Sequence, residues 1–180
     1  MKQTKKLTVS AMTVALGVVF MTLGAVFSVL DLSTAVLASL LVSFIYIELG
    51  SPYTWLVWLS TSLISFIMFP GSFMWLVYLT VFGVYPILKG YIERLPRWTW
   101  LILKLVFLNA MLTLLVLFSE ALIGQSLFGD VSEIPLAPTV VYCILWAMMN
   151  VAFLLYDRLI VVLVVFYEQR IRPKLAKLLK

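Results

Sequence analysis

From Leu7 to Leu30 the chain carries no charged residue. As a helix that stretch is about 36 Å long at ~1.5 Å per residue, enough to cross the ~30 Å hydrocarbon core of a bilayer. Comparable runs recur, and the candidate spans are residues 7–30, 32–49, 53–69, 73–89, 98–123 and 136–157. Between them stand Asp31, the trio Gly50, Ser51 and Pro52, the pair Pro70 and Gly71, the stretch around Pro86, Lys89 and Gly90, and a polar loop at 124–135. Each interrupts an apolar helix or breaks its backbone. Of 180 residues, 64% are hydrophobic and 12% charged, whereas soluble domains have about half and a quarter. A chain of this length cannot hide that much apolar surface from water. The expected fold class is an all-α membrane protein with six transmembrane helices, and residues 1–180 form one integral membrane domain.

Charge sets the orientation. With six spans, the lysines and arginines fall at residues 1–6, around 89–104 and in the tail from Arg158, all on the side of the termini. The opposite side holds Asp31, Glu120, Asp130 and Glu133 and no basic residue. Positive charge marks the cytoplasmic face, so both termini are expected in the cytoplasm of a bacterial cell, with the chain multi-pass in its plasma membrane. The basic start MKQTKK resembles a signal peptide, but the following apolar run exceeds the roughly 7–15 residues of a signal core, and the first helix is expected to be retained. Residues 158–180 form a basic tail. The sixth helix either tilts strongly and runs on to Phe166, or ends near Asp157 and Arg158 with an interfacial helix on anionic lipid, or gives way to a solvated tail.

Several chemistries are excluded by what is missing. There is no histidine and one cysteine, Cys143. Zinc or iron sites built on those residues cannot form, nor can an intramolecular disulfide. No GxxxxGK[ST] phosphate loop is present. The chain reads as no enzyme, with no cofactor and no nucleic-acid partner; membrane lipid is its first partner.

Polar groups at membrane depth face protein or a cavity, which singles out a few side chains. Asn109, Thr113 and Glu120 share a face of the fifth span; Thr139, Cys143, Trp146, Asn150 and Asp157 share a face of the sixth. Asn109 and Asn150 both lie near mid-bilayer, so a hydrogen bond between these helices is expected, either as interhelical glue or as part of a ligand site. Trp75, Tyr78, Phe82 and Tyr85 make one aromatic face on the fourth span, either an interfacial belt or a pocket wall. Lys104 is close enough to the inner surface to snorkel. The first helix carries two small-residue stripes, Ala11, Ala15, Val18, Thr22 and Ala25 on one face and Ser10, Gly17, Gly24 and Ser28 on another. Small side chains allow close helix approach, so either both stripes serve packing inside the bundle, or one serves the bundle and the other a second protein.

Ala11 and Ala15, four apart near the inner end of the first helix, and the turn and small-polar helix ELGSPYTWLVWLSTSLISFIMFPG resemble the S component, the substrate-binding subunit, of energy-coupling-factor vitamin transporters. The resemblance implies six helices with cytoplasmic ends, and docking of Ala11 and Ala15 on a transmembrane coupling subunit. It implies two ATPase subunits that drive import of a vitamin or similar small metabolite. It also implies a pocket in the outer halves of helices four to six, with Trp75, Tyr78, Glu120 and Trp146 as contacts and Asn109 and Asn150 at its floor. The competing reading is a small membrane scaffold like the rod-shape proteins of bacteria, which recruits cell-envelope proteins. The poor polar inventory at membrane depth favours that reading, because a vitamin pocket needs several convergent polar groups.

Overall fold

The computed structural model describes residues 3–27, 30–119, 121 and 137–173. Those residues are helical apart from short turns, and no strand occurs among them. Helix α1 spans Gln3–Val26, α2 Asp31–Leu49 and α3 Ser51–Met68. The next span is composite: α4, Met74–Val77, leads into a π-helical turn, Tyr78–Phe82, and then α5, Tyr85–Ile92. Helices α6, Arg97–Phe118, and α7, Pro138–Phe166, follow, and a second π turn, Tyr167–Ile171, ends the helical chain.

Five stretches are long and apolar enough to cross a membrane: Gln3–Val26, Asp31–Leu49, Met74–Ile92, Arg97–Phe118 and Thr139–Arg170. Helix α3 is not in that set, and its inner face carries hydroxyls; Thr54, Thr61, Ser62 and Ser65 are all buried. The outer surface of the bundle is apolar, with Leu7, Ile67, Ile102, Val106 and Leu155 among the exposed side chains. Contiguous exposure on this scale marks a lipid-facing surface. The chain is a helical, multi-pass membrane protein.

Helix α2 runs through the middle, packed against α1, α3, α5, α7 and the first π turn. Its Ala35, Ala38, Ser39 and Val42 are small and buried, which lets neighbouring backbones come close. The buried hydroxyls bond within the helix: Thr34 Oγ1 to Asp31 O at 2.9 Å, Ser39 Oγ to Val36 O at 2.7 Å and Ser43 Oγ to Ser39 O at 3.3 Å. Such back-bonding satisfies polar groups where no water is present. Gly50 alone joins α2 to α3, at φ 85°, a conformation that costs a residue with a Cβ. Pro52 falls in the first turn of α3 and Pro86 in the first turn of α5, where a missing N–H breaks no bond. Pro86 therefore does not end the fourth span as the sequence pattern suggests, and the helix runs on to Ile92.

The last helix takes the first of the courses open to it. It continues without a break through Asp157 and Arg158 to Phe166, so residues 158–173 are not a separate tail; 174–180 lie outside the described residues. The helix is held back onto the bundle at its end. Tyr167 donates to Glu48 Oε1 at 3.0 Å, Arg172 Nε pairs with the same oxygen at 3.0 Å, and the Tyr167 ring meets Phe44 edge-on at 5.1 Å.

Of the two stripes on α1, one is buried. Ser10, Thr13, Gly17, Met21 and Gly24 face α2 and α3, and a Cβ at Gly17 would stand 3.1 Å from Thr61 Cγ2. Ser28, the last member of that stripe, is outside the described residues. Ala11 and Ala15 are exposed. Replacement of Gly17 by leucine is therefore expected to destabilise the bundle by about 1–3 kcal/mol through overpacking. Replacement of Ala15 by leucine is expected to cost less than about 0.5 kcal/mol, as exposed positions do. Unfolding in mixed micelles on titration with dodecyl sulfate measures both; equal effects would contradict the assignment of faces.

Candidate functional site

A cavity of about 350 Å³ lies between α2, the α4 and π-turn segment, α6 and α7. Leu32 and Val36 line it from the first turns of α2, Met74 and Val77 from α4, Leu112 from α6 and Phe153 from α7. Among the described residues Tyr156 is the one polar residue in its wall. It suits a compact, mostly apolar molecule, and its size falls at the low end of small-ligand pockets.

Of the residues singled out in the sequence, Phe82 lines this cavity, whereas Trp75, Tyr78, Asn109, Trp146 and Asn150 do not. Trp75 is buried, donates Nε1 to Pro70 O at 3.2 Å and packs on Phe66 with centroids 4.7 Å apart. It braces the turn between α3 and α4. Tyr78 is fully enclosed on the Thr61 side of the π turn. Both belong to the helix that supplies Met74 and Val77 to the cavity, yet neither lines it. Glu120 lies outside the described residues, as does the loop at 124–135.

Asn109, Trp146 and Asn150 do come together. Asn109 Nδ2 donates to Asn150 Oδ1 at 3.0 Å and to Leu105 O at 2.8 Å; its Oδ1 accepts from Trp146 Nε1 at 2.6 Å. Asn150 Nδ2 donates to Trp146 O at 2.9 Å. The amide contact expected between the fifth and sixth spans is present, with the indole closing a small network. These groups spend their hydrogen bonds on one another, which is the pattern of interhelical glue.

The most concentrated polar chemistry sits elsewhere, where α5, α6 and α7 meet. The Asp157 carboxylate accepts from Lys104 Nζ at 2.9 and 3.0 Å, from Lys89 Nζ and from the Tyr85 hydroxyl. Glu93 Oε1 lies 2.9 Å from Lys89 Nζ and 3.3 Å from Lys104 Nζ. Both lysine side chains are only 7% exposed. Lys104 therefore does not snorkel to the surface; it turns inward to Asp157. Two ammonium groups and two carboxylates balance, so the cluster is neutral overall and its members compensate one another for lost solvent. Around it pack aromatic rings: Tyr85 stacks with Phe107 at 6.0 Å and meets Phe153 edge-on at 4.5 Å.

The sequence held partial signals of this cluster. Tyr85, Lys89 and Glu93 recur every four residues and so share a helix face, and Asp157 is the acidic residue on the face of the sixth span that carries Asn150. What it lacked was the depth of Lys89 and Lys104, because a lysine near a helix end satisfies the charge rule equally well at the surface. A second cavity, about 300 Å³, adjoins the cluster between α2, α5 and α7, with Ser43, Tyr46, Lys89, Glu93 and Ile160 in its wall.

Removing a single partner from a buried ionic group leaves the others without compensation. The Asp157→Asn variant is expected to lose about 3–5 kcal/mol of stability, and Asn109→Leu about 1 kcal/mol, both read from unfolding in mixed micelles. The reverse order would show that the amide network, not the charge cluster, holds the bundle. The chain matches no protein-family model, no curated protein and no solved structure.

Proposed function

We propose that the chain is the substrate-binding membrane subunit of an importer of the energy-coupling-factor type. It crosses the bacterial plasma membrane six times with both termini in the cytoplasm, α3 supplying the sixth crossing. The observation that carries this reading is the 350 Å³ cavity. Its wall includes Leu32, at the start of α2, and Met74, at the start of α4, which under this topology places it in the outer half of the membrane. The substrate is smaller and more apolar than the aromatic and amide residues suggested, a compact molecule with one group able to hydrogen-bond Tyr156. A transmembrane coupling subunit and two ATPase subunits supply the work. The outward-facing Ala11 and Ala15 on α1 offer the coupling subunit a close-packing surface.

One observation favours the scaffold as a second reading. The polar groups of Asn109, Trp146 and Asn150 bond to each other, and among the described residues the cavity has a single polar one in its wall. A scaffold needs no more than that.

Two experiments separate the readings. Purified protein in micelles, screened against small apolar metabolites that carry one polar group, is expected to gain thermal stability with at least one of them. A ligand at about 100 times its Kd stabilises by ~2.7 kcal/mol, a readable shift; a screen without any shift favours the scaffold. Replacement of Ala11 and Ala15 by tryptophan is expected to abolish co-purification of ATPase subunits while the melting temperature stays near the unmodified value. Co-purification of cell-envelope proteins in place of ATPases would overturn the transport reading.

A further inference from the structure

The 300 Å³ cavity lies near the ends of three helices. Tyr46 and Ile47 stand in the last turn of α2, Glu93 directly follows α5, and Val164 and Val165 stand in the last turn of α7. Basic residues gather at this end of the bundle. Lys6 lies over the Tyr53 ring at 5.5 Å, and Arg172 pairs with Glu48. With the termini in the cytoplasm, as proposed above, this is the inner leaflet. On the α7 side the wall is open: Val161 and Val165 are 38% and 43% exposed. The cavity is therefore a groove that reaches the lipid-facing surface, and Ile47, Ile160, Val161 and Val164 make its lining largely aliphatic.

One cation at the rim has no counter-charge. Arg94 Nη2 donates to the Tyr46 hydroxyl at 3.4 Å, and its guanidinium lies 5.3 Å from the centre of the Tyr91 ring. The rings of Tyr46 and Tyr91 meet edge-on at 6.5 Å, and the Tyr91 hydroxyl is tied to Ser51 Oγ at 2.7 Å. Among the described residues Arg94 pairs with no carboxylate. Lys89 and Glu93 also line the groove, but they belong to the neutral cluster with Lys104 and Asp157. The rim is left with one net positive charge, on a side chain that two tyrosines hold in place. A guanidinium stacked on a ring keeps its planar fork of donors, and that fork matches a phosphate.

We infer that this groove is a site for one anionic phospholipid. The phosphate sits on Arg94 with the Tyr46 hydroxyl beside it, and one acyl chain lies along the aliphatic wall. Three observations select that occupant. The groove opens toward lipid, its cation lies at the basic end of the bundle, and its excess charge is one that a singly charged headgroup neutralises. A zwitterionic headgroup would leave that charge uncompensated. Basic pockets between membrane helices on the cytoplasmic side take anionic headgroups, and an arginine–phosphate contact is among the stronger hydrogen-bonded pairs. The bound chain fills the gap between α2, α5 and α7 beside the charge cluster. Only the name of the leaflet depends on the orientation proposed above; binding in micelles reads neither orientation nor transport.

Delipidated protein in detergent micelles is titrated with phosphatidylglycerol and, separately, with phosphatidylethanolamine of the same chains. Native mass spectrometry resolves the first lipid bound. The first phosphatidylglycerol is expected to bind at least about fivefold more tightly than the first phosphatidylethanolamine, which is what one basic residue contributes at an anionic lipid surface. Arg94→Gln is expected to remove that preference. Arg97→Gln makes the same charge change at an exposed position at the start of α6. It is expected to alter the affinity less than about twofold, because an exposed charge outside the site is screened by salt. Val161→Trp places an indole in the groove and is expected to abolish the tight first binding. Equal affinity for the two lipids, a preference that survives Arg94→Gln, an equal loss in Arg97→Gln, or undiminished binding in Val161→Trp would each overturn the site. If the tryptophan variant does not fold, the two arginine variants decide.

Discussion

Asp157 is the residue on which three helices depend. It stands within α7, buried, and takes hydrogen bonds from Lys89 and Tyr85 on α5 and from Lys104 on α6. In a bilayer no water replaces a lost partner, so a polar group at depth is held by protein or is not tolerated. The cluster satisfies that demand with two positive and two negative side chains at one junction. Its geometry fixes how α5, α6 and α7 sit against one another. The hydrophobic effect offers little guidance there, because lipid tails are as apolar as the helix faces.

The same constraint explains the rest of the packing. Helices α1, α2 and α3 carry no ionic cluster between them, and they associate through small residues and self-satisfied hydroxyls instead. Gly17 lets α1 close on Thr61, and Gly24 lets it close on Thr34. Gly83 and Gly90 do the same for the composite span, where a Cβ would run into the rings of Trp58 and Tyr46. Trp58 also donates Nε1 to Leu79 O at 3.2 Å, so the irregular turn that Gly83 follows is braced by a neighbour's side chain. The bundle thus has a close-packed half built on small residues and a half pinned by charge, and both cavities border the second.

Much of this was legible in the sequence. The apolar runs are the membrane helices, and Gly50, Ser51 and Pro52 mark the turn they promised. The Asn109 and Asn150 contact follows from depth and helix periodicity alone. The division of α1 into an inward stripe with Gly17 and an outward stripe with Ala11 and Ala15 was implicit in the spacing, though which stripe faced inward was not. Three features were hidden for physical reasons. Lys104 and Lys89 satisfy the charge rule at the surface as well as in the interior, so burial is invisible to it. The π turn at Tyr78–Phe82 has no residue signature. The cavity is made by what neighbouring helices fail to fill, and its lining of leucine, valine, methionine and phenylalanine reads in the sequence as ordinary core. Trp75 and Tyr78 were conspicuous for the opposite reason: large aromatic residues draw the eye whether they bind a ligand or brace a turn.

The charge cluster is the centre of this account, and a double-mutant cycle between Asp157→Asn and Lys104→Met tests it most directly. Unfolding free energies of the native protein, the two single variants and the double variant, measured in the same mixed micelles, give the coupling between the two side chains. A coupling of about 1–3 kcal/mol is predicted, the range for residues joined in one buried network. Strict additivity, with no coupling beyond the error of measurement, would contradict it.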